Sequence, residues 1–132
     1  MRSRLNAILK KQGKIKEKET LALLCIPFPL FKIWYNLTKK YFVPKGYTGK
    51  IEHDHFYPIS KFDLSNENEL KHAMHWSNIR CLSSSENRSK SDKPPTPRDK
   101  FRMLVLKYYF TKQILEPYER KRLGLVIYVN IP

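Results

Sequence analysis

From Leu30 onward, apolar side chains recur at helical spacing: Phe31, Trp34, Tyr35, Leu37, Tyr41 and Phe42. The pattern predicts a helix whose aromatic stripe is core and which ends before Pro44 and Gly46. "YTGKIEHDHFYP" then reads as a strand or hairpin arm, and "WSNIRCLS", Trp76 to Ser83, as a second strand. The polar stretch between them, "SKFDLSNENELKHAM", reads as a loop with a helical turn. Ser83 and Glu86 have the S-x-x-E spacing of a capping box, so a helix starts there. It runs through Asn87, Arg88 and Lys90 and stops before Pro94-Pro95. Thr96-Pro97 opens a further helix, with Asp99 near the positive end of its dipole. Phe101, Leu104, Val105 and Tyr108 form its apolar face, while Arg98, Arg102 and Lys112 stay solvated. The tail "GLVIYVNI" reads as a strand. The fold class is therefore α+β: strand, loop, strand and short helix, flanked by helices.

The run "LALLCIPFPLF", Leu21 to Phe31, is too short to span a membrane and is broken by Pro27 and Pro29. Glu17 and Glu19 precede it and no small-residue cleavage site follows, so it reads as a buried segment of a soluble protein. With 132 residues, 41% of them hydrophobic and 13% aromatic, the chain is long and apolar enough for a core. We expect a basic arm over residues 1–20 and a single domain over 21–132.

Charge narrows the partner. A net charge of +14 is extreme for this length and attracts polyanions. No basic amphipathic anchor is visible, so nucleic acid is expected rather than an anionic membrane. On the arm, Lys10, Lys11, Lys14 and Lys16 are candidates for contacts to a phosphate backbone. Cys25 and Cys81 form no CxxC pair, which argues against a disulfide framework or zinc knuckle. Two lone thiols suit a reducing intracellular compartment, cytoplasm or nucleus.

The chemistry concentrates in "IEHDHFYPIS", Ile51 to Ser60. Asp54 is a hard oxygen ligand suited to Mg²⁺ or Mn²⁺. His55 is a residue type that can take a proton from water near neutral pH. Asn87, on the first turn of the capped helix, can project its carbonyl oxygen back at the strands. Asn78, on the second strand, can hydrogen-bond the imidazole or its backbone. In a regular strand Asp54 and His55 point to opposite faces, so one site can use both only if the strand twists, bulges or ends there. His53 shares the His55 face and is its rival as base. Taken alone, the triplet is also compatible with a hydrated loop, and an Asn after a capping box is ordinary helix chemistry.

Taken together, "IEHDHFYPISKFD" and "HWSNIRCLSSSENRSKSDK" resemble an HNH endonuclease of the ββα-metal (His-Me finger) superfamily. The resemblance rests on Asp54-His55 followed by Pro58, Ser60 and "FDL", on the aromatic-x-Asn-hydrophobic pattern from Trp76 to Ile79, and on the Glu86 to Lys93 segment. It covers roughly Lys50 to Lys93. Upstream, "LLCIPFPLFKIWYNL" is more loosely similar to a helical segment of viral and phage relatives.

The resemblance implies a two-stranded hairpin plus helix around one Mg²⁺ or Mn²⁺. In it Asp54 and Asn87 bind the metal, His55 is the general base and Asn78 orients that histidine. Asn87 stands where the motif name expects His, and the two CxxC pairs of many relatives are absent. The long gap from His55 to Asn78 implies an inserted loop or helix. Arg88, Lys90 and Lys93 lie beside the active helix as candidate phosphate contacts, and His72 and His75 are loop residues or supports behind the ligands. The implied activity is hydrolysis of double-stranded DNA to a 5′ phosphate and 3′ hydroxyl, one strand per site, with a homodimer as one route to double-strand cleavage. The alternatives are a noncatalytic nucleic-acid-binding protein on a decayed scaffold and an RNA-directed nuclease.

Overall fold

A computed structural model describes residues 22–124, which fall into two compact units dividing between Pro95 and Thr96. In the first unit the order is α1 (Phe28–Phe42), β1 (Ile51–His55), a 3-10 turn (Ile59–Lys61), α2 (Glu67–Met74), a 3-10 turn (Trp76–Asn78), β2 (Ile79–Ser83) and α3 (Ser84–Lys90). The architecture is α+β. β1 and β2 pair antiparallel, with Ile51 opposite Ser83, Asp54 opposite Arg80 and His55 opposite Ile79.

α1 opens with Pro29 in its first turn, where a missing N–H costs nothing, and ends at Val43, which the following Pro44 holds in an extended conformation. Its buried face is Leu30, Phe31, Trp34, Thr38 and Phe42. Tyr35, Leu37 and Tyr41 are only partly covered. This face also meets the polar needs of β2, all five of whose residues are buried. Trp34 Nε1 donates to the Ile79 carbonyl at 2.7 Å, and the Cys81 N–H donates to Thr38 Oγ1 at 3.0 Å. A helix thus covers the edge of a two-stranded sheet that would otherwise expose unpaired backbone groups. Burial of Trp34 and Phe42 adds about 1.5–3 kcal/mol each.

Three sequence-based expectations change. The second strand begins at Ile79, because Trp76–Asn78 is a 3-10 turn closed by the Asn78 N–H on the His75 carbonyl. The stretch from Leu21 to Phe31 is not buried throughout. Among its described residues Leu24, Leu30 and Phe31 are covered while Cys25 and Phe28 are exposed, since Pro27 and Pro29 interrupt any regular face. The Leu24 carbonyl accepts from Trp76 N–H at 3.1 Å, which ties this segment to the turn before β2. The stretch between the strands is more than a turn. Asn66 caps α2 by accepting from the Glu69 N–H, and Ile59, Leu64, Leu70, Ala73 and Met74 form a small core of their own.

The second unit is one continuous helical rod: α4 (Pro97–Phe110), a π-helical turn (Thr111–Leu115) and α5 (Glu116–Arg122). Thr96 caps it by accepting from the Asp99 N–H at 3.2 Å. Pro117 accounts for the π turn, since its ring would collide with the carbonyl four residues back in a regular helix. The expected apolar face of α4 is corrected. Phe101, Leu104, Val105 and Tyr108 are exposed, at 68% for Phe101 and 67% for Tyr108, and the buried residues are Met103, Leu106 and Phe110. "FRMLVLKYYF" is apolar around most of its circumference, so periodicity alone did not select a face. Arg98 and Lys112 are exposed as expected, Lys112 while pairing with Glu116, whereas Arg102 is half-buried and pairs with Asp99. The basic arm and the tail after Gly124 lie outside the described residues.

Candidate active site

β1 ends at His55. The Phe56 N–H donates to the Asn78 carbonyl at 2.7 Å. The Asn78 side chain then grips the next residue from both sides: Oδ1 accepts from Tyr57 N–H at 2.8 Å, and Nδ2 donates to the Tyr57 carbonyl at 3.1 Å. Nδ2 also donates to the Ala73 carbonyl at 3.0 Å. Asn78 therefore sits on the turn before β2 rather than on the strand. It fixes the backbone two residues past His55, a clamp on the chain and not a contact to the ring.

A cavity of about 280 Å³ opens over this strand end, and Asp54, His55, Asn87, Lys90 and Asp92 all line it. Asn87 arrives there because Ser83 starts α3 at the end of β2, its Oγ accepting from Glu86 N–H at 3.2 Å. His53 and Glu52 line the same cavity from the strand. The His53 ring lies on Tyr35, centroids 4.7 Å apart. Although His53 is exposed overall, desolvation of the covered ring pushes its pKa below the ordinary value.

Two cations hold the buried Asp54 carboxylate. Arg80 Nε donates to Oδ2 at 2.9 Å, and Lys90 Nζ donates to Oδ1 at 3.0 Å. Arg80 is 1% exposed and lies between the rings of Phe42 and Phe56, its guanidinium carbon 4.7 and 4.9 Å from their centroids. Sequence reasoning missed this residue. The available signal was a lone charge inside the apolar "NIRCLS", which requires a buried counter-ion. Lys90 also donates to the His55 carbonyl at 2.9 Å, so its ammonium sits between a carboxylate and a carbonyl oxygen. It is therefore drawn into the site, unlike Arg88 and Lys93, which are exposed.

That ammonium is the test of whether a metal ion fits. It marks a position built from hard oxygen donors and already favourable to a cation, and Asn87 adds an amide to the same cavity wall. Carboxylate and carbonyl oxygens are the donor type that Mg²⁺ or Mn²⁺ takes, and here they surround the Lys90 ammonium. Among the described residues no group of three or more His, Cys, Asp or Glu could hold a metal ion. His72 and His75 lie outside the cavity lining; His75 Nδ1 is 2.7 Å from Ser77 Oγ and accepts from the Ser77 N–H. Cys25 and Cys81 are free thiols.

A second groove of about 660 Å³ runs along the end of α1, lined by Lys39, Lys40, Val43, Lys45, Tyr47 and Ile51 among others. All three lysines are exposed, and Ile51 belongs to both hollows. No helix among the described residues is long and apolar enough to cross a membrane.

The chain is similar to an uncharacterized protein of Acanthamoeba polyphaga mimivirus, 34% identical over 110 residues that make up 82% of this chain and 48% of that protein. It thus spans about half the length of this curated relative. No family model matches the chain, and no solved structure matches it.

Proposed function

We propose that the chain is a divalent-metal-dependent endonuclease that hydrolyses DNA phosphodiester bonds, cutting one strand per active site. The observation that carries this reading is the convergence of Asp54, His55 and Asn87 on one cavity, two from a strand end and one from the first turns of the following helix. His55 is the general base, taking a proton from the attacking water. Asp54 and Asn87 would hold Mg²⁺ or Mn²⁺, which when bound supplies positive charge for the oxygens of the reacting phosphate. Asn78 holds the strand end rigid, so that His55 keeps its aim. The net charge of +14 supports a polyanionic substrate, and the exposed Lys39, Lys40, Lys45, Arg88 and Lys93 offer contacts to its backbone. Cutting both strands would take a second copy or a second nick.

A noncatalytic nucleic-acid-binding role is the second reading, favoured by the two cations that occupy the Asp54 carboxylate. One assay separates the two. Supercoiled plasmid is incubated with the protein and Mg²⁺, Mn²⁺ or EDTA, with His55→Ala in parallel and a labelled RNA under the same conditions. Nicking that requires metal and is lost in His55→Ala supports the nuclease. Binding without cleavage under every metal condition supports the noncatalytic reading, and cleavage confined to RNA changes the substrate.

A further inference from the structure

Lys90 occupies the position where the proposed nuclease needs its ion. Its Nζ is 3.0 Å from Asp54 Oδ1 and 2.9 Å from the His55 carbonyl oxygen, with the side chain 12% exposed. Arg80 engages the other oxygen of the same carboxylate. Both oxygens of the Asp54 carboxylate are thus taken by cations, so a dication reaches Oδ1 only by displacing the Lys90 ammonium. The two cations differ in freedom. Arg80 is locked between two aromatic rings, whereas Lys90 is the last residue of α3 and carries a flexible four-carbon stem. The chain leaves the helix immediately after it, at Ser91 with φ 49°. Asp92, two residues on, lines the same cavity and offers the displaced ammonium another carboxylate.

Building on the nuclease reading, we propose that Lys90 is a resident cation that competes with the divalent ion for Asp54 and thereby sets metal affinity. In the free protein Lys90 neutralises Asp54 and keeps the cavity ordered; on loading it swings off Oδ1, while Arg80 stays and holds the carboxylate in place. Metal affinity is then weaker than the donor set alone would give. Lys90 acts through Asp54 and is a positioning residue, not a catalytic one.

The test is direct Mn²⁺ binding, read as loss of the free-ion signal in electron paramagnetic resonance, on the full chain at fixed pH and salt. Wild type, Lys90→Met and Lys90→Gln are compared, with Asp54→Asn as the control for the site, measured under conditions where tryptophan fluorescence shows it folded; Gln keeps a donor for the His55 carbonyl if Met disturbs folding. The expected result is binding at least ten-fold tighter in the Lys90 variant than in wild type, lost in Asp54→Asn. Equal or weaker binding in a folded Lys90 variant overturns the competition and leaves the nuclease reading standing. No saturable Mn²⁺ binding in any of the proteins overturns both.

Discussion

Replacing Asp54 by Asn keeps the size of the side chain and removes only its charge. Wild-type Asp54 and Arg80 are both buried, with Nε to Oδ2 at 2.9 Å across the strand pair. Lys90, nearer the surface, can reach water after the substitution; Arg80, at 1% exposure between Phe42 and Phe56, cannot. The cost therefore falls on Arg80. Removing one partner of a buried ion pair costs about 3–5 kcal/mol. Against a total stability of about 5–15 kcal/mol for an ordinary domain, that is about a fifth at the least. Urea unfolding followed by the fluorescence of the buried Trp34 and Trp76 would show it as a midpoint lower by roughly 1 M or more. The double substitution Asp54→Asn with Arg80→Met should recover more than half of the loss, because Met is accommodated between the two rings without a charge. An Asp54→Asn protein within about 1 kcal/mol of wild type would rule out an uncompensated charge on Arg80, as would a double variant no more stable than the single one. Loss of cleavage in Asp54→Asn would thus report folding as well as chemistry, which makes His55 the cleaner probe of the reaction.

Asn78→Ala removes three hydrogen bonds, to Tyr57 N–H, the Tyr57 carbonyl and the Ala73 carbonyl, and should cost about 2–3 kcal/mol with faster hydrogen exchange at the Tyr57 amide. Unchanged exchange there would remove Asn78 as the clamp. His53 has a lowered pKa in the folded state, so the unfolded chain binds the extra proton more readily; stability falls as pH drops through the ordinary histidine range. His53→Gln should flatten that loss in pH-dependent melting, and an identical pH profile would contradict the desolvation. Changing Lys39, Lys40 and Lys45 together to Gln should lower the slope of log affinity for duplex DNA against log salt by about 2–3, leaving cleavage at saturating DNA intact. An unchanged slope would exclude the α1 groove as a backbone track.

How much was legible beforehand depends on the distance over which each feature is determined. The helix starts at Ser83 and Thr96 were readable because a cap is closed within three residues, Ser83 to Glu86 and Thr96 to Asp99. The stop of α1 before Pro44 was readable for the same reason, as was the paired-strand centre from its β-rich runs. The concentration of Asp54, His55 and Asn87 as candidates came from residue types and order. Their meeting in one cavity needed β1 and α3 to fold against one another, and the clamp of Asn78 on the Tyr57 backbone is made across the hairpin.

The remainder belonged to the tertiary structure. Arg80 meets Asp54 across 26 positions of sequence, and only the strand register puts them opposite one another. Lys90 reaches Asp54 and the His55 carbonyl only once α3 has folded back along β1. The exposed side of α4 was likewise undetermined by a sequence that is apolar nearly all round. Local hydrogen bonding and steric restriction are written in a few consecutive residues, and by themselves they determined where elements begin and end. Which charges neutralise one another, and which apolar faces are covered, depends on distant segments sharing one desolvated space, and that only packing decides.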